Sequence, residues 1–217
     1  MSAFFKLLEL QTPLLRWGPA LLKLELLRPT GGTEDRALAL LTRSGVLEAN
    51  AGAALAAAAW AKARGLRIAI RPRGIFTHEV RETLRIWGAP LTDALPDLPA
   101  LDSDEAAPLY ALDLPDAPVV VAPAGARAAL LSSKGRRIAL VAADQEMPDL
   151  PRASDFSEVR PIKRAEAAEA RRRLARETGV LASHASAAAA LVAREIPGAI
   201  ALVTAAGERE FSLEGAP

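Results

Sequence analysis

The run Pro29–Arg36, PTGGTEDR, holds the residue types best suited to chemistry. Two adjacent glycines, Gly31 and Gly32, let the backbone turn tightly, and Thr33, Glu34 and Asp35 follow them into an apolar stretch. A glycine turn that feeds a helix start can face backbone N–H groups toward an anion. Glu34 adds a carboxylate that can act as a general base. A second run, NAGAALAAAAWAKA from Asn50 to Ala63, completes the first: Asn50 is a favoured helix cap, Gly52 leaves bare backbone beside it, and an alanine-rich helix follows. Other chemistry is thin. The chain has no cysteine, so disulfides, thiolate zinc sites and cysteine nucleophiles are excluded. His78 and His184 are the two histidines, which excludes a histidine-rich metal site. Ser133 precedes Lys134, but this SSKG run falls at an expected helix end and reads as a turn. There is no dinucleotide fingerprint and no Walker-type loop.

The 217 residues are 51% hydrophobic and 24% charged, enough for one domain or two small ones. A net charge of +1 gives no strong attraction to nucleic acid or anionic lipid, and neither is expected as a partner. Trp17, Trp60 and Trp87 are dispersed and read as core, not as a stacking platform. The opening MSAFFKLLEL lacks a basic leader and a cleavage site, and no charge-free apolar run is long enough to span a bilayer. The expectation is a cytoplasmic, soluble protein.

The elements that must position these residues alternate. Residues 1–10 read as a short helix or an extended arm, and QTPLL as an X-Pro turn. Leu21–Leu27 alternates and predicts a strand; ALALLTRSG predicts a short helix closed by Gly45. Val46–Glu48 predicts a very short strand, then come the Asn50-capped helix ending at Gly65, a strand over Leu66–Arg71 and a helix over Thr77–Trp87. Six prolines, with Asp93, Asp97, Asp102, Asp104 and Glu105 between them, make residues 90–118 a loop or linker, with room for a strand at Leu109–Leu112. PVVVAPAG is a buried strand, Ala126–Ser132 a short helix and RRIALVA a strand. Pro148, Pro151 and Pro161 mark a second loop. Glu166–Glu177 is a helix with Glu169 and Arg173 at pairing distance; Ser186 is expected to cap the next helix, and IALVT forms a last strand. Strand–helix alternation predicts an α/β fold with a parallel sheet covered by helices.

PTGGTEDR and the Asn50 run together resemble the fold type II pyridoxal phosphate enzymes, the tryptophan synthase β family, and threonine synthases most closely. That family carries PTGSFKDR and S-G-N-x-G-A-x-L-A. QTPLL, the Lys23-x-Glu25 strand, the SHASAAAAL segment and the closing IALVTAAGE have counterparts in it as well. The resemblance implies a three-layer αβα fold with mostly parallel sheets, truncated by a large internal deletion. It divides the chain into an N-terminal α/β half (11–90), a Pro/Asp-rich linker (91–117) and a C-terminal α/β half (118–217). It also implies a cleft lined by Gly31, Gly32, Thr33, Glu34, Asn50, Gly52, Gly125, Arg127, Ser186 and Thr204.

The resemblance places Glu34 where the family has the lysine that forms an imine with the cofactor aldehyde, and glutamate cannot form one. At about 5 Å and an effective dielectric near 20, its charge would oppose a phosphate by roughly 3 kcal/mol. The phosphate loop becomes Gly125-Ala126-Arg127-Ala128-Ala129, keeping only the first glycine; Arg127 either supplies a compensating charge or is a surface arginine. The serine of the S-G-N motif aligns with Glu48. Asn50 is retained, and so is Thr204, where the family bonds the ring nitrogen. Lys23 has a counterpart lysine that makes no imine, so it is not a replacement. The expected function is a catalytically inactive relative without a bound cofactor, acting as a homodimer or as a regulatory partner of another protein. Two alternatives are a small-molecule protein binding an amino acid or cation in the old cleft, and a threonine or cysteine synthase-like enzyme holding pyridoxal phosphate non-covalently. A further one is a new enzyme using Glu34 as base.

Overall fold

The computed structural model describes residues 12–27, 30, 34–38, 41–98, 114–142 and 155–205. The chain forms two compact units, one of residues 1–10 and 28–106, the other of residues 11–27 and 107–217. The expected α/β class with a mostly parallel sheet is what the chain adopts.

In the first unit, β3 (Gly45–Ala49) and β4 (Ile68–Pro72) pair in parallel, Leu47 against Ile70. Between them runs α2 (Ala51–Arg64), preceded by α1 (Glu34–Leu38) and followed by α3 (His78–Trp87). Asn50 caps α2 as expected, its side chain accepting from the Ala53 N–H, and left-handed Gly65 closes it. Ala54, Ala56, Ala57, Ala58 and Ala61 are all buried. Alanine favours the helix and lets it lie close to its neighbours. Trp60 supplies the bulk they lack: it is 2% exposed and donates its indole N–H to the Asp35 carbonyl at 3.1 Å, tying α2 to α1. Arg64 stacks on the ring face and donates to the Leu41 carbonyl. Thr77 caps α3 and Gly88 ends it.

Two expectations change here. The helix expected to end at Gly45 is α1, which begins at Glu34, and Gly45 opens β3 instead. The linker expected from residue 91 begins later. Thr92 N–H donates to the Ile70 carbonyl, and the Asp97 and Leu98 N–H groups donate to Val46, so this stretch covers both edges of the two-stranded sheet. The strand foreseen at Leu109–Leu112 lies outside the described residues, as do residues 1–10.

In the second unit the strand order is β1-β2-β8-β5-β6-β7. β1 (Leu14–Trp17) and β2 (Ala20–Lys23) form a hairpin turned at Gly18, which has φ +61°. β2, β8 (Ile200–Leu202), β5 (Val119–Pro123), β6 (Arg136–Ala142) and β7 (Glu158–Ile162) run parallel. Helices α4 (Arg127–Ser132), α5 (Arg164–Thr178) and α6 (His184–Arg194) complete the unit. Residues 11–27 therefore do not belong to the N-terminal half assigned from the sequence. β2 takes its partner from the far end of the chain, a pairing that no local signal announces. The QTPLL turn contributes to β1. The strand expected over Leu21–Leu27 is shorter, because the chain leaves the sheet after Lys23 into a 3₁₀ turn at Glu25–Leu27. That turn buries Glu25 and Lys23 together: the Thr12 hydroxyl donates to Glu25 at 2.7 Å, and the Lys23 ammonium donates to the Thr12 carbonyl at 3.3 Å. Pro161, read as a loop marker, sits in β7; as the outermost strand, β7 tolerates the missing N–H.

Glu177 gathers three elements. Its carboxylate accepts from the Trp17 indole on β1 at 2.8 Å, from Arg173 on α5 at 2.8 Å and from Arg194 on α6 at 2.7 Å, while Arg194 stacks over the Trp17 ring. Glu169 pairs with Arg172 and Arg176, not with Arg173 as expected, because Glu177 has taken Arg173.

Gly135 is required sterically: a Cβ there would stand 2.2 Å from the Ala117 carbonyl oxygen. Gly135→Ala is expected to lower stability by about 1–3 kcal/mol. Gly125→Ala, where a Cβ meets nothing within 4 Å, is expected to stay within about 0.5 kcal/mol of the parent in urea unfolding. Hydrogen bonds from Arg173 and then Trp17 pull the Glu177 carboxyl down to about 2 from an ordinary 4.5. Its contribution to stability is therefore complete above the ordinary carboxyl range and fades as pH falls toward 2. Thermal melts from neutral pH down to pH 2 are expected to show a shallower acid loss in Glu177→Gln than in the parent.

Candidate functional site

The residues singled out from the sequence fall into two groups, one on each unit. On the first unit, Gly31, Gly32 and Thr33 lie outside the described residues. Glu34 is the first residue of α1 and is half-buried. It has no hydrogen-bond or ion-pair partner among the described residues. Its neighbour Asp35 turns back on the loop instead, accepting from the Thr30 N–H at 3.0 Å and the Thr30 hydroxyl at 2.9 Å. Asn50 is exposed beyond the carboxyl end of β3, its side-chain oxygen engaged by the α2 cap, and Gly52 lies in the first turn of α2. Glu48, read from the sequence as a second acid of the cleft, stands opposite Arg71 in the β3–β4 register and pairs with it at 3.3 Å. Its charge is met by the protein itself.

On the second unit, β5 and β8 are adjacent and parallel, with Val121 level with Ala201. Gly125 and Thr204 follow the carboxyl ends of these two strands and so share one edge of the sheet. In open α/β sheets, ligands bind at that edge. Gly125 is the exposed residue of a 3₁₀ turn, Ala124–Ala126, that leads into α4. Arg127 is the first residue of α4, and its side chain lies outside the described residues. No side chain caps this six-residue helix.

Ser186 does not cap α6. Ser183 does, three residues earlier, its hydroxyl accepting from the Ser186 N–H. The S-x-x-S spacing was the available signal, since a capping serine bonds the backbone N–H three residues on. Ser186 is fully buried and joins α6 to the end of β8. It accepts from the Thr204 N–H at 3.0 Å, from the Ala205 N–H at 3.3 Å and from the Ser183 hydroxyl at 2.9 Å, and it lies 3.0 Å from the Thr204 hydroxyl. Ser183, Ser186 and Thr204 are thus one buried chain of hydroxyls at the carboxyl edge.

Among the described residues there is no cluster of histidine, aspartate or glutamate suited to a metal, and no helix is long and apolar enough to cross a membrane.

No protein-family model matches the chain, and no curated protein sequence matches it. Solved structures do match. An O-ureido-L-serine synthase aligns with a TM-score of 0.74 at 20% identity, over 97% of this chain and 95% of that one. A cysteine synthase from Entamoeba histolytica gives 0.78 at 18%, over 96% and 89%. A hydrogen sulfide-producing enzyme from Fusobacterium nucleatum gives 0.77 at 14%, over 96% and 99%. What the chain shares with these proteins is a fold, that of the fold type II pyridoxal phosphate enzymes.

Proposed function

We propose that this chain is a non-catalytic relative of the fold type II pyridoxal phosphate enzymes, with threonine synthase-like motifs, and that it works by association, as a homodimer or as a regulatory partner of another protein. The observation that carries the reading is Glu34. The sequence resemblance sets it at the lysine position, and a carboxylate has no nitrogen with which to form an imine. On the second unit, the loop that the resemblance assigns to the phosphate keeps one glycine of the family pattern, Gly125. Gly125 is the middle residue of the 3₁₀ turn there, with open space where a Cβ would stand. Ala126 and Ala129, in the rest of that loop, are buried. Without an orienting partner for Glu34 among the described residues, a new reaction with Glu34 as general base has no support. Ile75, Ile86 and Leu95 of the first unit expose large apolar side chains, consistent with an associating surface.

A second reading, small-molecule binding, is favoured by the hydroxyl chain that ends at Thr204. The Glu48–Arg71 pair removes one of the two acids that argued for a cation, so a ligand carrying acceptor atoms fits this reading better.

Purified protein mixed with pyridoxal phosphate is expected to show no imine absorbance band and no covalent adduct by mass spectrometry after borohydride reduction. Either signal at stoichiometric level would overturn the non-catalytic reading. Light scattering after gel filtration is expected to give a dimer. A monomer at all concentrations would leave only a heteromeric partner.

A further inference from the structure

The two edges of the six-stranded sheet are not alike. β7 is blunted by Pro161, which has no N–H to offer, and by the charges of Glu158 and Arg160. β1 carries no proline between Leu14 and Trp17. The hairpin fixes which of its peptide groups are used. Trp17 stands opposite Ala20 across the tight turn, and the Leu24 N–H donates to the Pro13 carbonyl, so residues 13, 15 and 17 bond toward β2. Leu14 and Arg16 alternate with them and turn their peptide groups outward. Those N–H and C=O groups have no partner among the described residues, and Leu14 is 46% exposed. An edge of this kind takes up an extended segment.

We infer that residues 210–214 of this chain dock on the outer edge of β1 as a further strand, parallel to it. Ala205, the last described residue, stands just beyond the carboxyl end of β8, and β2 alone separates β8 from β1. The place outside β1 is three strand spacings from β8, about 14 Å. Five extended residues reach about 17 Å, so residues 206–210 span the gap. β1 is antiparallel to β2 and β2 is parallel to β8, so a segment arriving at this end of the sheet runs in the direction of β1. Residues 210–214 read EFSLE, and their alternation matches that of β1. Leu15 and Trp17 belong to the core, while Leu14 and Arg16 are exposed. With Phe211 level with Leu15 and Leu213 level with Trp17, both apolar side chains extend the core face. Glu210 and Glu214 then share the face of Arg16 and lie diagonal to it, within reach of its guanidinium. A slip of one residue would turn the acids toward the core, so the register is specified. In that register the Phe211 and Leu213 N–H groups donate to the Leu14 and Arg16 carbonyls. This concerns the second unit alone, goes beyond the association reading above and stands or falls independently of it.

The chain has no cysteine, so a reporter pair can be introduced without competing thiols. Arg16→Cys combined with Ser212→Cys places two thiols level on one face of adjacent strands, within disulfide range. This double variant is expected to form an intramolecular disulfide on mild oxidation. Arg16→Cys combined with Leu213→Cys, on opposite faces, is expected to form none. Hydrogen exchange of the unsubstituted chain gives a second reading that does not depend on either variant folding. The Leu14 and Arg16 amides are expected to exchange at least about tenfold more slowly than in a chain lacking residues 208–217. The Leu15 and Trp17 amides, bonded to β2, are expected to stay protected in both. Absence of the Arg16–Ser212 link would overturn the inference, and so would a link formed between two copies, which would give the edge to a second molecule. Protection of Leu14 and Arg16 that survives removal of residues 208–217 would overturn it as well.

Discussion

The second unit depends on one strand pairing. β2, completed by residue 23, lies between β1 and β8, and its parallel partner does not begin until residue 200. A parallel strand needs its neighbour's backbone groups, and burial on both faces leaves no water to replace them. Leu22 is fully buried, and so are Lys23 and Glu25 beyond it. Thr12 serves both members of this pair: its hydroxyl meets the carboxylate and its carbonyl meets the ammonium. The two ends of the chain therefore stabilise each other across the sheet. Contacts that distant in sequence close slowly, since loop closure must precede the gain.

Much of the fold could be read from the residues. Asn50 and Gly65 bracket α2, Thr77 and Gly88 bracket α3, and each does so by a local hydrogen bond that a short window of sequence contains. Strand alternation with helices announced the parallel sheets. What stayed hidden was non-local. β7 follows a proline-marked stretch, and only its place at the sheet edge explains how Pro161 is accommodated. Residues 11–27 read as a preface to the first unit because they precede it. Their hydrogen bonds go elsewhere, and hydrogen-bond partners are not written in order along the chain. Arg173 chose Glu177 over Glu169 because Glu177 was already held by Trp17 and Arg194, a choice that spacing alone could not rank.

The candidate site was legible in part for the same reason. Thr204 and Gly125 could be named from motifs, and adjacency of β5 and β8 brings them to one sheet edge. Ser183 was missed and its capping role assigned to Ser186, since both serines stand before an alanine run. The structure separates them by function: Ser183 closes the helix start, while Ser186 fastens that start to the end of β8. Glu48 changes meaning once Arg71 is seen across the strand pair. Type and order predicted which residues stand where; partners decided what each can still bind.

The alanine interiors of α2 and α6 have a consequence for how this protein can vary. Ala54, Ala57 and Ala58 in one helix, and Ala187, Ala189 and Ala190 in the other, are at or near full burial. At such positions evolution has no smaller side chain left except glycine, which weakens a helix. Almost every possible replacement is larger and must push neighbours apart. Sequence drift in these helices is thus confined to their outward positions, and two distant homologues would be expected to look alike along one helix face and unrelated along the other.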